Sequence, residues 1–147
     1  MMSIRKTSKW LPTALWIGQV LLSVMLGWAA WMKLSQTPET LSAMWPWAGE
    51  VSPWLVKLTG VADLLAALGL VLPAWLRVRP HLTFLAAVAL VLLMLCAMVF
   101  HISRGESPTF NIIIAVLAAW VAWGGRTGPP PFADQLTDNV SGPNSSK

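Results

Sequence analysis

The chain is short of charge. Only 11% of its 147 residues are Asp, Glu, Lys or Arg, against about 25% in soluble domains. That shortage excludes an ordinary soluble domain. There is one cysteine, Cys96. An intramolecular disulfide is therefore excluded, and so is a dithiol oxidoreductase built on Cys-x-x-Cys; Cys96 reads as a small apolar residue inside a helix. Tyrosine is absent, which leaves tryptophan as the interfacial aromatic. No nucleophile–base pair, phosphate-binding loop or haem-attachment motif occurs. His101 near a single carboxylate gives no metal site, because His81 falls on the opposite side.

What is present is mostly apolar. Hydrophobic residues make up 56% of the chain and gather in four runs, Leu11–Met32, Trp54–Leu72, Leu82–Phe100 and Pro108–Gly124. A membrane span takes about 17–25 such residues. All four runs qualify, the last being the shortest. The expected fold is all-α: an integral membrane four-helix bundle filling residues 11–126. Residues 1–10 form a basic cytoplasmic N-terminus. Residues 127–147, with Pro129, Pro130 and Pro131, form a disordered cytoplasmic tail. Arg5, Lys6 and Lys9 look like the start of a signal peptide, but the run that follows exceeds the roughly 7–15 residues of its apolar region. Trp28 and Trp31 also crowd the small-residue pair Ala29–Ala30, so the segment reads as an uncleaved first helix.

The net charge of +4 is a matter of orientation and implies no nucleic-acid partner. Arg5, Lys6, Lys9, Arg77, Arg79 and Arg126 flank the spans on one side of alternating crossings; Lys33, Lys57 and Arg104 lie on the other. Basic residues favour the cytoplasm, so both termini are expected there. The ten tryptophans group at the same two levels. Trp10, Trp16, Trp75, Trp120 and Trp123 would lie inside, and Trp28, Trp31, Trp45, Trp47 and Trp54 outside. An aromatic belt accounts for nearly all of them, and a stacking site in the outer group is the alternative.

Local signals mark the helix ends. Pro12 opens the first run, Pro73 follows the second, and Pro80 precedes the third. Ser107-Pro108 is an N-cap followed by proline at the first helical position. The loop Ser35–Pro53 contains Thr37-Pro38-Glu39, a helix start, followed by the apolar Leu41, Met44, Trp45 and Trp47. A short interfacial helix or a lid over the bundle is expected there.

Asp63 is the most informative residue. It sits mid-run in the second span, where a carboxylate costs about 2.5–3.5 kcal/mol on insertion scales. It must face other helices or a water-filled cavity. Small and polar residues on helical spacing suggest the inward faces: Gln19, Ser23, Gly27 and Ala30 with Lys33 at the outer end; Gly60, Asp63 and Ala67 with Thr59; Ala97 and His101; Asn111, Ala115, Ala118 and Ala122. Such stripes allow close helix contact and cross-helix hydrogen bonds. An outward-opening pocket follows, with Lys33, Asp63, His101 and Asn111 as ligand-binding candidates and Lys33 or His101 as charge partner of Asp63. The plainer alternatives are a structural salt bridge or a protonated carboxyl at Asp63, a helix-end anchor at Lys33 and a solvated rim residue at His101.

From Ala14 to Arg126 the chain resembles the DoxX/DoxX-like family of small four-helix membrane proteins. The resemblance rests on Lys33-Leu34 closing the first helix, Gly60-Val61-Ala62-Asp63 in the second, then Leu68-Gly69-Leu70 and Pro73. Ala97-Met98-Val99-Phe100-His101, Arg104-Gly105-Glu106, Asn111 and Ala122-Trp123-Gly124 continue it. Asp63 stands where the family usually has Glu, one methylene longer. The resemblance implies a bacterial inner-membrane protein associated with quinone-linked redox systems. Quinone is then the implied lipophilic ligand, with no cofactor motif in the chain itself. Beside the bilayer, the implied partner is a membrane or redox protein or a second copy of the chain. A non-enzymatic assembly or accessory factor is the alternative.

Overall fold

A computed structural model describes residues 10–76 and 81–124. It contains six helices: α1 (Trp10–Ser35), α2 (Pro38–Met44), α3 (Pro46–Glu50), α4 (Pro53–Trp75), α5 (His81–Ser103) and α6 (Thr109–Gly124). Segments 1–9 and 125–147, with the basic N-terminus, Arg77, Arg79, Pro80, Arg126 and the expected tail, lie outside the described residues. α1, α4 and α5 are long and apolar enough to cross a membrane, and α6 is a shorter apolar helix of 16 residues. At about 1.5 Å per residue α6 reaches roughly 24 Å.

The four long helices form a ring in which each neighbour runs antiparallel. Gln19 on α1 donates from Nε2 to the Leu70 carbonyl of α4, and Ser23 Oγ donates to the Ala67 carbonyl at 2.7 Å. The α1 numbers rise as the α4 numbers fall, which fixes the direction. In membrane bundles such bonds contribute about 0.6 kcal/mol each. α5 meets α4 where a Cβ on Gly69 would stand 2.9 Å from Ala86 Cβ. α6 closes on α1, with the Trp120 ring over Gly18 and Leu15 against Gly124.

Between these seams lies one apolar core, including Leu22, Leu70, Leu90, Ala87 and Ala118. The outer faces carry exposed apolar side chains such as Ile17, Val24, Leu65, Leu92, Val99 and Val116. Helices apolar all round are built for burial in lipid, and this is an integral membrane protein. The inward stripe of α1 holds Gln19, Ser23, Ala30 and Lys33 as expected and widens to take in two leucines. Leu22 and Leu26 are buried, whereas a Cβ on Gly27 would meet nothing within 4 Å. Bulky leucines fill the core, and Gly27 sits at the edge of the α1–α4 seam.

Two helix ends differ from expectation. Pro73 lies within the last turn of α4, which continues to Trp75. A proline there removes only its own N–H, and Leu76 N still donates to Leu72 O at 2.8 Å. The single interfacial helix is two. Thr37 caps α2, accepting from Thr40 N. Trp45 is extended (φ −130°, ψ 97°) before Pro46, because the residue before proline is driven out of the helical region. Pro46 then opens α3.

α2 and α3 fold over one end of the ring. Leu41, Ala48 and Val56 are buried together, with Met32, Trp45, Trp47 and Val51 around them. The lid fits because α4 starts above the end of α1. Gly60 lies beside Lys33 and Leu34, so the first two turns of α4 rise past the last turn of α1 and leave a step.

Candidate functional site

The step holds an ion pair. Lys33 Nζ donates to Asp63 Oδ2 at 2.6 Å, and the two side chains keep only 13% and 6% of their exposure. Both halves follow from local sequence. Gly60, one turn before Asp63, lets α1 approach until the stem of Lys33 lies against α4. A cation in the last turn of α1 is also favoured by the helix dipole. Thr59 shares the neighbourhood but donates to Val56 O of its own helix at 2.8 Å.

The lid completes the surroundings. Lys33 Nζ stands 5.8 Å from the Trp45 ring centroid and 5.6 Å from that of Trp47. These separations lie within the range of cation–π attraction. Trp45 also meets Trp28 edge-on at 6.1 Å. These two lid tryptophans are therefore packed cation contacts rather than belt residues. Trp28, Trp31 and Trp54 at this end, and Trp10, Trp75 and Trp123 at the other, are exposed as a belt requires.

His101 is not a partner of Asp63. Its Nδ1 is 2.6 Å from Glu106 Oε2. The reason is the turn after α5. Gly105 adopts a left-handed φ of 72°, Gly105 N donates to Ile102 O at 3.0 Å, and Glu106 N donates to His101 O at 2.9 Å. This Schellman closure swings Glu106 back against the histidine. The hydrogen bond with His101, aided by the charges of His101 and Arg104, holds the Glu106 carboxyl below the usual carboxylate value.

Arg104 links this turn to the lid. Its guanidinium pairs with Glu50 at the end of α3, lies 3.5 Å through Nε from Glu106 Oε1, and stacks over Phe100 at 5.3 Å. Trp47 stands edge-on to Phe100 at 6.2 Å and to His101 at 6.3 Å. Trp47 is thus the common neighbour of Lys33 and His101. Asn111, one turn before the buried Ala115, is half-buried at this end of α6. Among the described residues it has no side-chain hydrogen-bond partner.

All four candidates thus lie at one end of the bundle, Lys33–Asp63 paired beneath the lid, His101 beside it in a separate cluster, and Asn111 on α6. Sequence reasoning missed Glu50 and Glu106 as partners. Glu50 is 54 residues from Arg104 and carries no periodic signal. Glu106 lies past the helix end, and the glycine at 105 was the available clue.

A buried ion pair under an aromatic lid, held by a ring of four apolar antiparallel helices, defines a small helical membrane protein. Residues 17–125 match the DoxX-like family, and the chain belongs to that family. No curated protein and no solved structure matches it.

Proposed function

We propose that the chain is an accessory subunit of a quinone-linked redox system and holds a lipophilic molecule at the lid end. The observation that carries this reading is the buried Lys33–Asp63 pair between two apolar helices, with Trp45 and Trp47 against the ammonium. A lysine ammonium is a strong donor to a carbonyl oxygen. Indole faces suit a flat ring. Apolar walls with a few convergent polar groups are the usual character of a small-molecule site. Lys33 and Asp63 would orient the carbonyl, with His101 and Asn111 at the margin. The redox step belongs to a partner protein, since the chain brings no cofactor motif.

The setting is a bacterial inner membrane, which rests on the family resemblance, and the distribution of Lys and Arg supports both termini in the cytoplasm. A second copy of the chain is a candidate partner alongside a redox protein. One observation favours the alternative of a non-enzymatic assembly factor. The ion pair is satisfied within the chain, and Arg104 ties the lid to α5 through Glu50, which is how a purely structural polar core would be built.

Purification from native membranes separates the two. The accessory-subunit reading expects quinone to be extracted with the wild-type protein, near one per chain, and to be lost from Lys33→Ala, with a redox protein co-purifying. Wild-type protein free of quinone at every stage would overturn it in favour of the assembly factor.

A further inference from the structure

The Lys33 ammonium is gripped from two directions. Asp63 Oδ2 on α4 accepts its N–H at 2.6 Å, while the lid sets the rings of Trp45 and Trp47 5.8 and 5.6 Å away. Two indole faces and one carboxylate are the recognition chemistry of an alkylammonium ion. None of these three groups depends on the ammonium being attached to this chain.

The ionised form of Asp63 needs a cation. Asp63 is 4% exposed, and a buried carboxylate without a partner is costly. It does not always need the same cation. Lys33 lies in the last turn of α1, and its flexible stem allows the ammonium to reach the polar rim. When another ammonium enters as Lys33 leaves, the charge beside Asp63 is unchanged. Such a ligand is close at hand. Trp28, Trp31 and Trp54 are exposed at this end, and tryptophans of this kind lie at headgroup level.

We propose that Trp45, Trp47 and Asp63 form a binding site for a primary alkylammonium group, and that Lys33 is its built-in competitor. A primary rather than quaternary ammonium is specified because Asp63 accepts an N–H. The source is either an ethanolamine-type lipid headgroup or a free amine. This proposal goes beyond the quinone reading and does not rest on it.

The test uses the full chain in phosphatidylglycerol nanodiscs, followed by thermal unfolding and tryptophan fluorescence. n-Propylammonium chloride is titrated against sodium chloride at equal ionic strength. Lys33→Ala empties the site, so n-propylammonium should raise its unfolding temperature saturably. Wild type should bind at least about tenfold more weakly, because a tethered group competes at high effective concentration. Lys33→Ala/Asp63→Asn, which needs no counter-charge, should not respond, and Lys33→Ala/Trp47→Leu should respond weakly. If Lys33→Ala can be purified only with n-propylammonium present, that supports the site; aggregation with and without it counts against. Phosphatidylethanolamine nanodiscs distinguish the sources. A headgroup ligand stabilises Lys33→Ala there without added amine, whereas a free-amine ligand still requires the addition. The proposal is overturned if Lys33→Ala responds equally to sodium and n-propylammonium, or if the Asp63→Asn double variant responds as strongly. Equal stabilisation by tetramethylammonium would overturn the primary-amine assignment.

Discussion

Gly60 on α4 lies against the β-carbon of Lys33 on α1, so close that a Cβ at position 60 would stand 2.9 Å from it. The neighbour is the root of a side chain and cannot swing aside. The second contact, Leu34 Cγ at 3.3 Å, leaves little room either. The close approach of the two helices therefore depends on the missing side chain.

Gly60→Ala is expected to destabilise the protein by about 1–3 kcal/mol, the usual cost of overpacking, despite alanine's better helix propensity. Gly27→Ala serves as the opposite case. Its Cβ meets nothing, so the propensity gain of about 0.5–1 kcal/mol should appear as added stability. Unfolding in mixed micelles measures both. Equal shifts for the two variants would refute the seam.

The two halves of the ion pair should respond unequally to mutation. Lys33→Met strands the buried Asp63 and is expected to cost about 3–5 kcal/mol. Asp63→Leu should cost less, because the lysine can reach the rim. Lys33→Met/Asp63→Leu should recover much of the loss, since an apolar pair can replace a buried ionic one. A double variant no more stable than Lys33→Met alone would show that the pair is not the cause.

Acid should loosen the turn that carries Arg104. The Glu106 carboxyl is held below its ordinary value of 4.5, first by the hydrogen bond with His101. With the folded value depressed, the unfolded chain takes up the proton more readily. The stabilisation is therefore full above 4.5 and is lost as pH falls through the lower folded value. Exchange of amides 104–106 with deuterium, followed against pH, should show this loss. Glu106→Gln should flatten the profile, and an unchanged profile would count against the assignment.

The lid should loosen before the ring does. Arg104→Ala removes the tie to Glu50 and the stacking on Phe100. Faster amide exchange over α3 is expected, with the midpoints of α1 and α4 unaffected. A global loss of protection would mean that Arg104 supports the bundle as a whole.

Orientation is tested by reporter fusions. A periplasm-only reporter should be active at Gly49 or Gly105 and silent at Lys147. Activity at Lys147 would reverse the expected placement of the C-terminus.

The helices were legible because lipid imposes a simple requirement. Runs of apolar residues long enough to span must satisfy their own backbone; the start of α6 falls one residue later than expected, with Thr109 first in the helix and Pro108 O accepting from Ile112 N. Asp63 was legible for the same reason, as a charge where none is cheap. The rest depends on tertiary geometry. Whether Asp63 meets Lys33 or His101 turns on the Gly105 bend, which gives His101 a nearer carboxylate. The inward stripe of Gln19, Ser23, Ala30 and Lys33 was legible, but the burial of Leu22 beside it and the open position of Gly27 were not, because leucine occurs on both faces of that helix. The split between α2 and α3 was written in Pro46, but the position of Trp45 and Trp47 over the ammonium was not.

The length of α1 has a mechanical consequence for the surrounding lipid. α1 runs for 26 described residues, about 39 Å at 1.5 Å per residue. An upright helix of that length overshoots a hydrocarbon layer about 30 Å thick. α1 must therefore tilt, or carry its end turns into the headgroup layer, at a cost of fractions of a kcal/mol per Å. Because Lys33 and Leu34 lie against Gly60, a tilt of α1 carries α4 with it.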